Sequence, residues 1–530
     1  HESSLILARD RFGEKPLYFG WSRHGFVFSS ELISLDALPR FDNPFEPAAV
    51  RALLRYNNVP APLSIYRDVF KLPSGCIARI DRSGIGSAAT RWLDGDEDAG
   101  FRIDRYYDYS AVLLDGDRRP IANPIEARTA VRSALTTAVE RQLVADVPVG
   151  TFLSGGIDSS IITGLASHAT GPGALKSFSI GFDVAGFDEA VHARKVARHF
   201  GTDHHELYVN ADDVLSTIPL LATIYNEPFA DSSQIPTFLV ARLAKRNVKV
   251  ALSGDAGDEL FGGYNRHRQF PKLWRRAAQL PKAVRRILLG GTALIPTTAW
   301  NLAADAIGRS RADHFGHTVR RALDAFSRAE NFGGLIGSFL DGWDGKGDPV
   351  VTTSDRDWVV EPRLDLGLEH LSYGRRLMHA DTIRYLPDDI LCKVDRAAMA
   401  VSLETRVPFL DPELVATASR IPDSMLFGRD GGKQILRDVL FDLAPRSLFD
   451  RPKAGFAIPI GQWLRGPLRD WAEELLSPSR LNEDGLLNAP VIRARWQSHL
   501  EGREDAHQPI WAVLMWQSWK STRANAVSIG

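Results

Sequence analysis

The 530-residue chain is poor in sulfur, with two cysteines, Cys76 and Cys392, and four methionines. Two cysteines are too few for a disulfide scaffold or a cysteine-rich zinc site. It also lacks an excess of charge. Sixty-four Lys and Arg against 65 Asp and Glu leave a net charge of −1, so there is no global basic field to hold nucleic acid or anionic lipid. Long apolar runs are missing too. The best one starts at Leu288 and is broken by Gly290, Gly291, Pro296 and Asn301, which falls short of a transmembrane span. No basic start with an apolar stretch behind it marks a secretory signal, and a cytoplasmic setting is the expectation. What remains, 44% hydrophobic and 24% charged residues, is ordinary globular composition. At this length it calls for two to four domains.

Residues 1 to 108 read as β-rich, with short apolar-aromatic runs parted by Gly20 and Gly25 and a proline-rich stretch before CIARID. From about 125 the character changes. Short β-like runs (LKSFSIGF, HHELYV, NVKVALSG) alternate with helix-length segments, the pattern of a parallel sheet with crossover helices. Beyond about 265 the chain reads as mostly helical, with breaks expected at Pro271, Pro281, Pro296 and Pro387. Domains are therefore expected over 1–108 and 125–530.

The sharpest local signal is Ser154-Gly155-Gly156-Ile157-Asp158-Ser159-Ser160, between an apolar strand ending at Leu153 and an apolar-faced helix. A strand, a glycine turn and a helix N-terminus make an anion cradle, because backbone N–H groups and the helix dipole both point at the ligand. Asp158 would repel a bare phosphate. It makes sense if Mg²⁺ bridges it to the phosphates. This heptad resembles the pyrophosphate loop of the N-type ATP pyrophosphatases. It is not a Walker loop, and the nearest imitation, Gly431-Gly432-Lys433-Gln434, has Gln where Ser or Thr is needed. The string Gly84-Ile85-Gly86-Ser87-Ala88-Ala89 is followed by polar residues that cannot open an apolar-faced helix, so a dinucleotide site is rejected.

A second strand-like run, Val248 to Leu252, leads into Ser253-Gly254-Asp255-Ala256-Gly257-Asp258-Glu259. Three carboxylates in five residues would repel one another in a plain turn. They make sense beside a cation. Asp158 and Asp258 are thus expected to share one metal at the carboxyl edge of a parallel sheet.

The strings SGGIDSS, SGDAGDELFGGY, LPDDILCKVDRAAMAVSLETRVPFLD, GKQILR and RPKAGFAIPIGQWL, in this order, resemble the glutamine-dependent asparagine synthetases over nearly the whole chain. ARDRFGEKPLYFG is similar to the last part of that family's glutaminase domain. The resemblance implies an adenine-nucleotide α-hydrolase-like α/β domain, preceded by part of a β-rich N-terminal-nucleophile glutaminase domain. It implies ATP and Mg²⁺ as cofactors, and aspartate with glutamine or ammonia as substrates. A homodimer is among the expected assemblies. By similarity, Leu153 and Ile180 would line the adenine pocket through backbone contacts. Ser154, Gly155, Gly156 and Ser159 would hold the phosphates, Ser253 and Gly254 the nucleotide, and Asp158 and Asp258 the Mg²⁺. Asp255 stands where well-known members carry Glu, a residue tied to the β-aspartyl adenylate. It keeps the charge with one methylene less. Lys453 resembles the lysine that meets the phosphates and the developing charge at the reacting carbonyl, as a fixed cation should. Asp231, Ser232 and Ser233 border the expected aspartate site without an assigned role.

The family's glutaminase nucleophile is an N-terminal cysteine, whereas residue 1 here is His. A chain starting inside that domain is expected to show ammonia-dependent synthesis and a poorly stable first domain. Two alternatives keep the same motifs: a beta-lactam synthetase-like or other amide-forming enzyme acting on another carboxylate, and an inactive scaffold. The histidines His199, His204, His205, His314 and His317 read as structural or surface residues, the basic stretch from Lys272 to Arg286 as a solvated helix face, and Trp511, Leu514 and Met515 as core.

Overall fold

The computed structural model describes residues 4–529 apart from 24, 37, 40, 82–99, 172, 183–187, 293–314, 344, 355–357, 359–366, 429–430 and 451–457. The string at Gly84 and Pro296 therefore lie outside the described residues.

In the first hundred residues, alternating burial makes half-buried strands. Along β5 (Cys76–Asp81) the even positions Cys76, Ala78 and Ile80 are buried and their neighbours are not, the period-two pattern of a one-faced sheet. It lies between β1 (Ser4–Ala8) and β6 (Phe101–Arg105) in an antiparallel sheet. A second antiparallel sheet orders β3 (Gly25–Ser29), β2 (Tyr18–Ser22) and β4 (Val69–Lys71). Phe19, Trp21, Phe70 and Phe101 fill the space between the two sheets. A helix, Pro47–Tyr56, buries Ala49, Val50, Leu53 and Leu54 in a core that it shares with the C-terminal helices.

The main sheet is five-stranded and parallel throughout, in the order β11-β10-β7-β8-β9. Its members are β7 (Val149–Phe152), β8 (Lys176–Phe182), β9 (Asp203–Val209), β10 (Val250–Leu252) and β11 (Glu404–Arg406). The chain runs outward from β7 to β8 and β9, then returns to place β10 on the other side of β7. The strand order therefore reverses between β7 and β10, and the crevice at their carboxyl ends is the topological switch point where ligands bind in such sheets. Sequence alternation ends the series at β10. The structure adds β11, a three-residue edge strand from the middle of the helical region. Three residues are too short for period-two patterning to show.

Two expected breaks are absent. Pro271 lies inside the helix Asn265–Ala277, and Pro387 lies inside the continuous helical run Tyr373–Met399. The middle of that run, Asp381–Leu391, is π-helical. The wider i→i+5 register accommodates a residue without an N–H, and such segments are often found at functional sites. Here it carries Asp381, Arg384, Tyr385, Asp388 and Asp389.

Candidate active site

Strands β7 and β10 pair in parallel with Ala251 opposite Gly150 and Leu252 opposite Thr151. The loops leaving them are therefore neighbours at the same height. Asp158 lies six residues beyond Phe152, and Asp258 six beyond Leu252. The approach is close: a Cβ on Gly254 would sit 2.7 Å from the Ser159 nitrogen, and one on Gly257 would sit 2.6 Å from Asp158 Cγ. Glycine is needed at both positions for space. In the first loop Gly155 has φ +71° and packs against the helix Ala190–Phe200, a left-handed conformation that favours glycine. Gly257→Ala is expected to cut turnover about a hundredfold by displacing Asp158, read from activity beside an unchanged circular dichroism spectrum.

The two carboxylates converge on one cation. Lys433 Nζ contacts Asp158 Oδ2 and lies 2.6 Å from Asp258 Oδ1. Burial lowers the affinity of that ammonium for its proton, but the two aspartates outweigh it and hold the Lys433 pKa above the usual lysine range. Lys433 has φ +59°. Its loop is pressed onto the acidic one: a Cβ on Gly263 would strike Asp258 Oδ1 and Lys433 Cε, and one on Gly432 would strike the Gly262 carbonyl. The lysine of the GGKQ string sits in the site. The only trace of it in the sequence is a lysine directly behind two glycines.

The rest of the first loop is pre-shaped for an anion. The helix Ile157–Thr170 starts at Gly156 without a side-chain cap, and the positive end of a helix dipole favours an anion. Ser154 and Ser159 hydroxyls lie 3.1 Å apart. Leu153 N–H donates to the Phe178 carbonyl at 2.9 Å. The β7–β8 ladder stops at Phe152–Phe178, while β8 stays paired with β9 as far as Phe182. Thus, among the described residues, no strand pairs with the loop-facing edge of β8 at Ile180. Leu153 and Ile180 are themselves buried, at 1% and 2% exposure.

In the second loop, Ser253 donates its hydroxyl to Asp255 Oδ2. Burial raises the Asp255 pKa, opposed by that hydrogen bond and by Lys393. Glu259 points into the core and accepts the Tyr264 hydroxyl at 2.5 Å. Burial, then Asp258, pushes its pKa up to about 8.

Beside Asp255 lies a buried triad. Lys393 Nζ is 2.5 Å from Asp231 Oδ2 and 3.7 Å from Asp389 Oδ1. Burial opposes ionisation of Asp231, but Lys393 outweighs it and holds the carboxyl at about 2. Burial and then Asp231 push Asp389 the other way, well above the usual carboxylate range. Asp231 and Asp389 face a cavity of about 280 Å³, with Arg266, Arg384 and Tyr385 in its polar wall and Phe339, Leu340 and Trp511 among its apolar residues. That size is near the lower end for small-molecule pockets, about 300 Å³. Neither Lys393 nor Asp389 was identified from sequence as a site residue. Charged residues inside an otherwise apolar helical run were the clue. Lys453 lies outside the described residues.

His199 meets the Leu443 carbonyl, His204 the Ser177 and Ser179 hydroxyls, and His205 Asp203; His314 lies outside the described residues, as does the His317 side chain. No cluster of three or more His, Cys, Asp or Glu suited to a metal occurs among the described residues. Asp158 and Asp258 supply only two protein ligands, so a metal there would take most of its shell from phosphate and water. That is the usual habit of Mg²⁺, and a cation already fits between them, as Lys433 shows.

Residues 130–521 match the family model described as asparagine synthase, and residues 1–92 match that of a glutamine amidotransferase domain. The chain is 32% identical to a putative asparagine synthetase [glutamine-hydrolyzing] of Mycobacterium tuberculosis (strain ATCC 25618 / H37Rv), over 97% of this chain and 74% of that protein. It is 29% identical to asparagine synthetase [glutamine-hydrolyzing] 1 of Bacillus subtilis (strain 168), over 98% and 75%. With an all-parallel sheet, paired acidic loops at its switch point and a synthase match over most of its length, the chain belongs to the asparagine synthase family of carbon–nitrogen ligases.

Proposed function

We propose that the protein makes asparagine from aspartate in two stages, with ATP as co-substrate and with nitrogen from glutamine or free ammonia. A side-chain carboxylate oxygen of aspartate attacks the α-phosphorus, and the bond to pyrophosphate breaks. Ammonia then attacks the acyl carbon of β-aspartyl-AMP, AMP leaves with the bridging oxygen, and the ammonia nitrogen gives up a proton. Adenylation is required because a free carboxylate is too poor an electrophile for an amine.

The observation that carries this reading is the convergence of Asp158 and Asp258 on one ammonium at the switch point of the sheet. Gly155, Gly156 and the uncapped helix start would hold the polyphosphate, with Ser154 and Ser159 as further donors. The unpaired β8 edge at Ile180 and the turn at Leu153 would receive the adenine through backbone groups, and Ser253 and Gly254 the rest of the nucleotide. Asp158 and Asp258 would hold Mg²⁺. When bound, that ion would neutralise charge on the leaving pyrophosphate. Asp255, one residue after Gly254 and within the field of Lys393, would sit at the reacting carboxyl group, with Lys453 as a second fixed cation. The cavity beside Asp231 and Asp389 would take the aspartate. We place the protein in the cytoplasm, which suits a chain whose two cysteines form no disulfide.

ATP–pyrophosphate exchange tests the reading. Aspartate is expected to stimulate exchange, and Asp158→Ala to abolish it. An exchange rate unchanged in Asp158→Ala would remove Asp158 from the site. A second reading keeps the adenylation and changes the acid, and the apolar wall of Ile336, Phe339, Leu340 and Leu377 favours it. Exchange stimulated only by an acid other than aspartate would establish that reading instead.

A further inference from the structure

One stretch of the chain is dense in cations and carries no acid. Between Asn265 and Thr292 there are eight Lys and Arg and no Asp or Glu, in a chain whose net charge is −1. The stretch forms two consecutive helices, Asn265–Ala277 and Lys282–Thr292. Three of the cations have structural partners. Arg266 meets Asp381 at 3.0 Å, Lys282 meets Glu330 at 2.5 Å, and buried Arg285 lies over the Trp274 ring and donates to the Ala329 carbonyl. Arg286 lies in the field of Glu330. Among the described residues, Arg268, Lys272, Arg275 and Arg276 show no carboxylate partner, and the last three are exposed.

The second helix is turned the unusual way round. It packs inward through Arg285 and Leu289. Its apolar stripe, Val284, Ile287 and Leu288 at i, i+3 and i+4, faces outward, with Ile287 74% exposed and Leu288 54%. Leu273 on the first helix and Leu280 between the two are exposed beside it. A helix of a globular protein normally buries such a stripe.

We propose that this pair of helices is a docking surface for an anionic lipid bilayer, with Leu280, Val284, Ile287 and Leu288 entering the interface and Lys272, Arg275, Arg276 and Arg286 meeting headgroups. A protruding apolar stripe flanked by cations is the arrangement of interfacial helices. A second copy of this chain fits poorly, because a two-fold contact would press the same cations together. Nucleic acid would use the cations and leave the apolar stripe in water. The first helix also carries Arg266 in the cavity wall at its opening turn, so docking would bring that cavity within one short helix of the membrane surface.

Co-sedimentation of the full chain with vesicles tests this. The protein is expected to pellet with vesicles of phosphatidylcholine plus phosphatidylglycerol and not with phosphatidylcholine alone, and added salt should release it. Lys272→Glu with Arg276→Glu is expected to weaken binding about tenfold or more. Ile287→Glu with Leu288→Glu should also weaken it, with thermal midpoint and exchange rate unchanged. If one pair fails to fold, the other still decides. Equal pelleting with both vesicle types, or none with either, overturns the proposal. So does a gel-filtration dimer that Ile287→Glu with Leu288→Glu splits, or retention on RNA instead of vesicles.

Discussion

Lys433→Met is expected to lower ATP–pyrophosphate exchange by about a hundred- to a thousandfold, the usual cost of removing one preorganised electrostatic contact from a reacting site. Lys433 is the group through which the two acidic loops recognise each other. Its ammonium contacts Asp158 and lies 2.6 Å from Asp258. Methionine keeps the length and the packing against Gly263 and removes the charge. Two carboxylates then face each other in a crevice with little water, and like charges so placed cannot both stay ionised cheaply. One takes up a proton or swings away, and either change spoils the cradle for a polyphosphate. Lys433→Arg tests geometry separately from charge. The planar fork of arginine is no substitute for a point charge squeezed between Gly263 and two aspartates, and at least part of the loss should persist. Exchange within threefold of wild type in Lys433→Met would reduce Lys433 to a packing element.

The second large effect concerns stability. Lys71→Met is expected to cost about 3–5 kcal/mol, the range for leaving one member of a buried ion pair unpaired. Lys71, at the end of β4, lies 2.5 Å from Glu227 Oε2, and both side chains are at least nine-tenths buried. Burial alone would lower the Lys71 pKa, yet Glu227 and Tyr18 hold it above the usual lysine range. Glu227 also accepts the Ile65 N–H at 2.7 Å and the Tyr18 hydroxyl at 3.3 Å. One carboxylate therefore ties β2, β4 and the segment before β4 to the loop after the helix Ala211–Ile224. Nearby, Asp388 accepts the Ala61 N–H at 3.2 Å, and Arg396 donates to the Ser30 carbonyl. Loss of the lysine should lower the urea midpoint and expose the first eighty residues to protease before the rest. A midpoint equal to wild type would mean that the seam holds without the pair. The expectation of a weakly held first domain takes no account of these bonds, because each joins residues more than 150 positions apart.

Local sequence determined the parts. SGGIDSS and SGDAGDE announce themselves because each needs an apolar strand before it and glycines within it. Alternation of β-like and helix-length runs was enough to specify a parallel sheet. Only the tertiary structure decided how the parts meet. Lys433 is 275 residues from Asp158, Lys393 is 162 from Asp231, and Lys71 is 156 from Glu227. Their pairing depends on strand order and loop packing, which leave no trace in periodicity. The π-helical register that turns Asp388 and Asp389 to their partners, and the three-residue β11 that completes the sheet, were hidden for the same reason: backbone geometry is set there by neighbours remote in the chain, against what local propensity alone would choose.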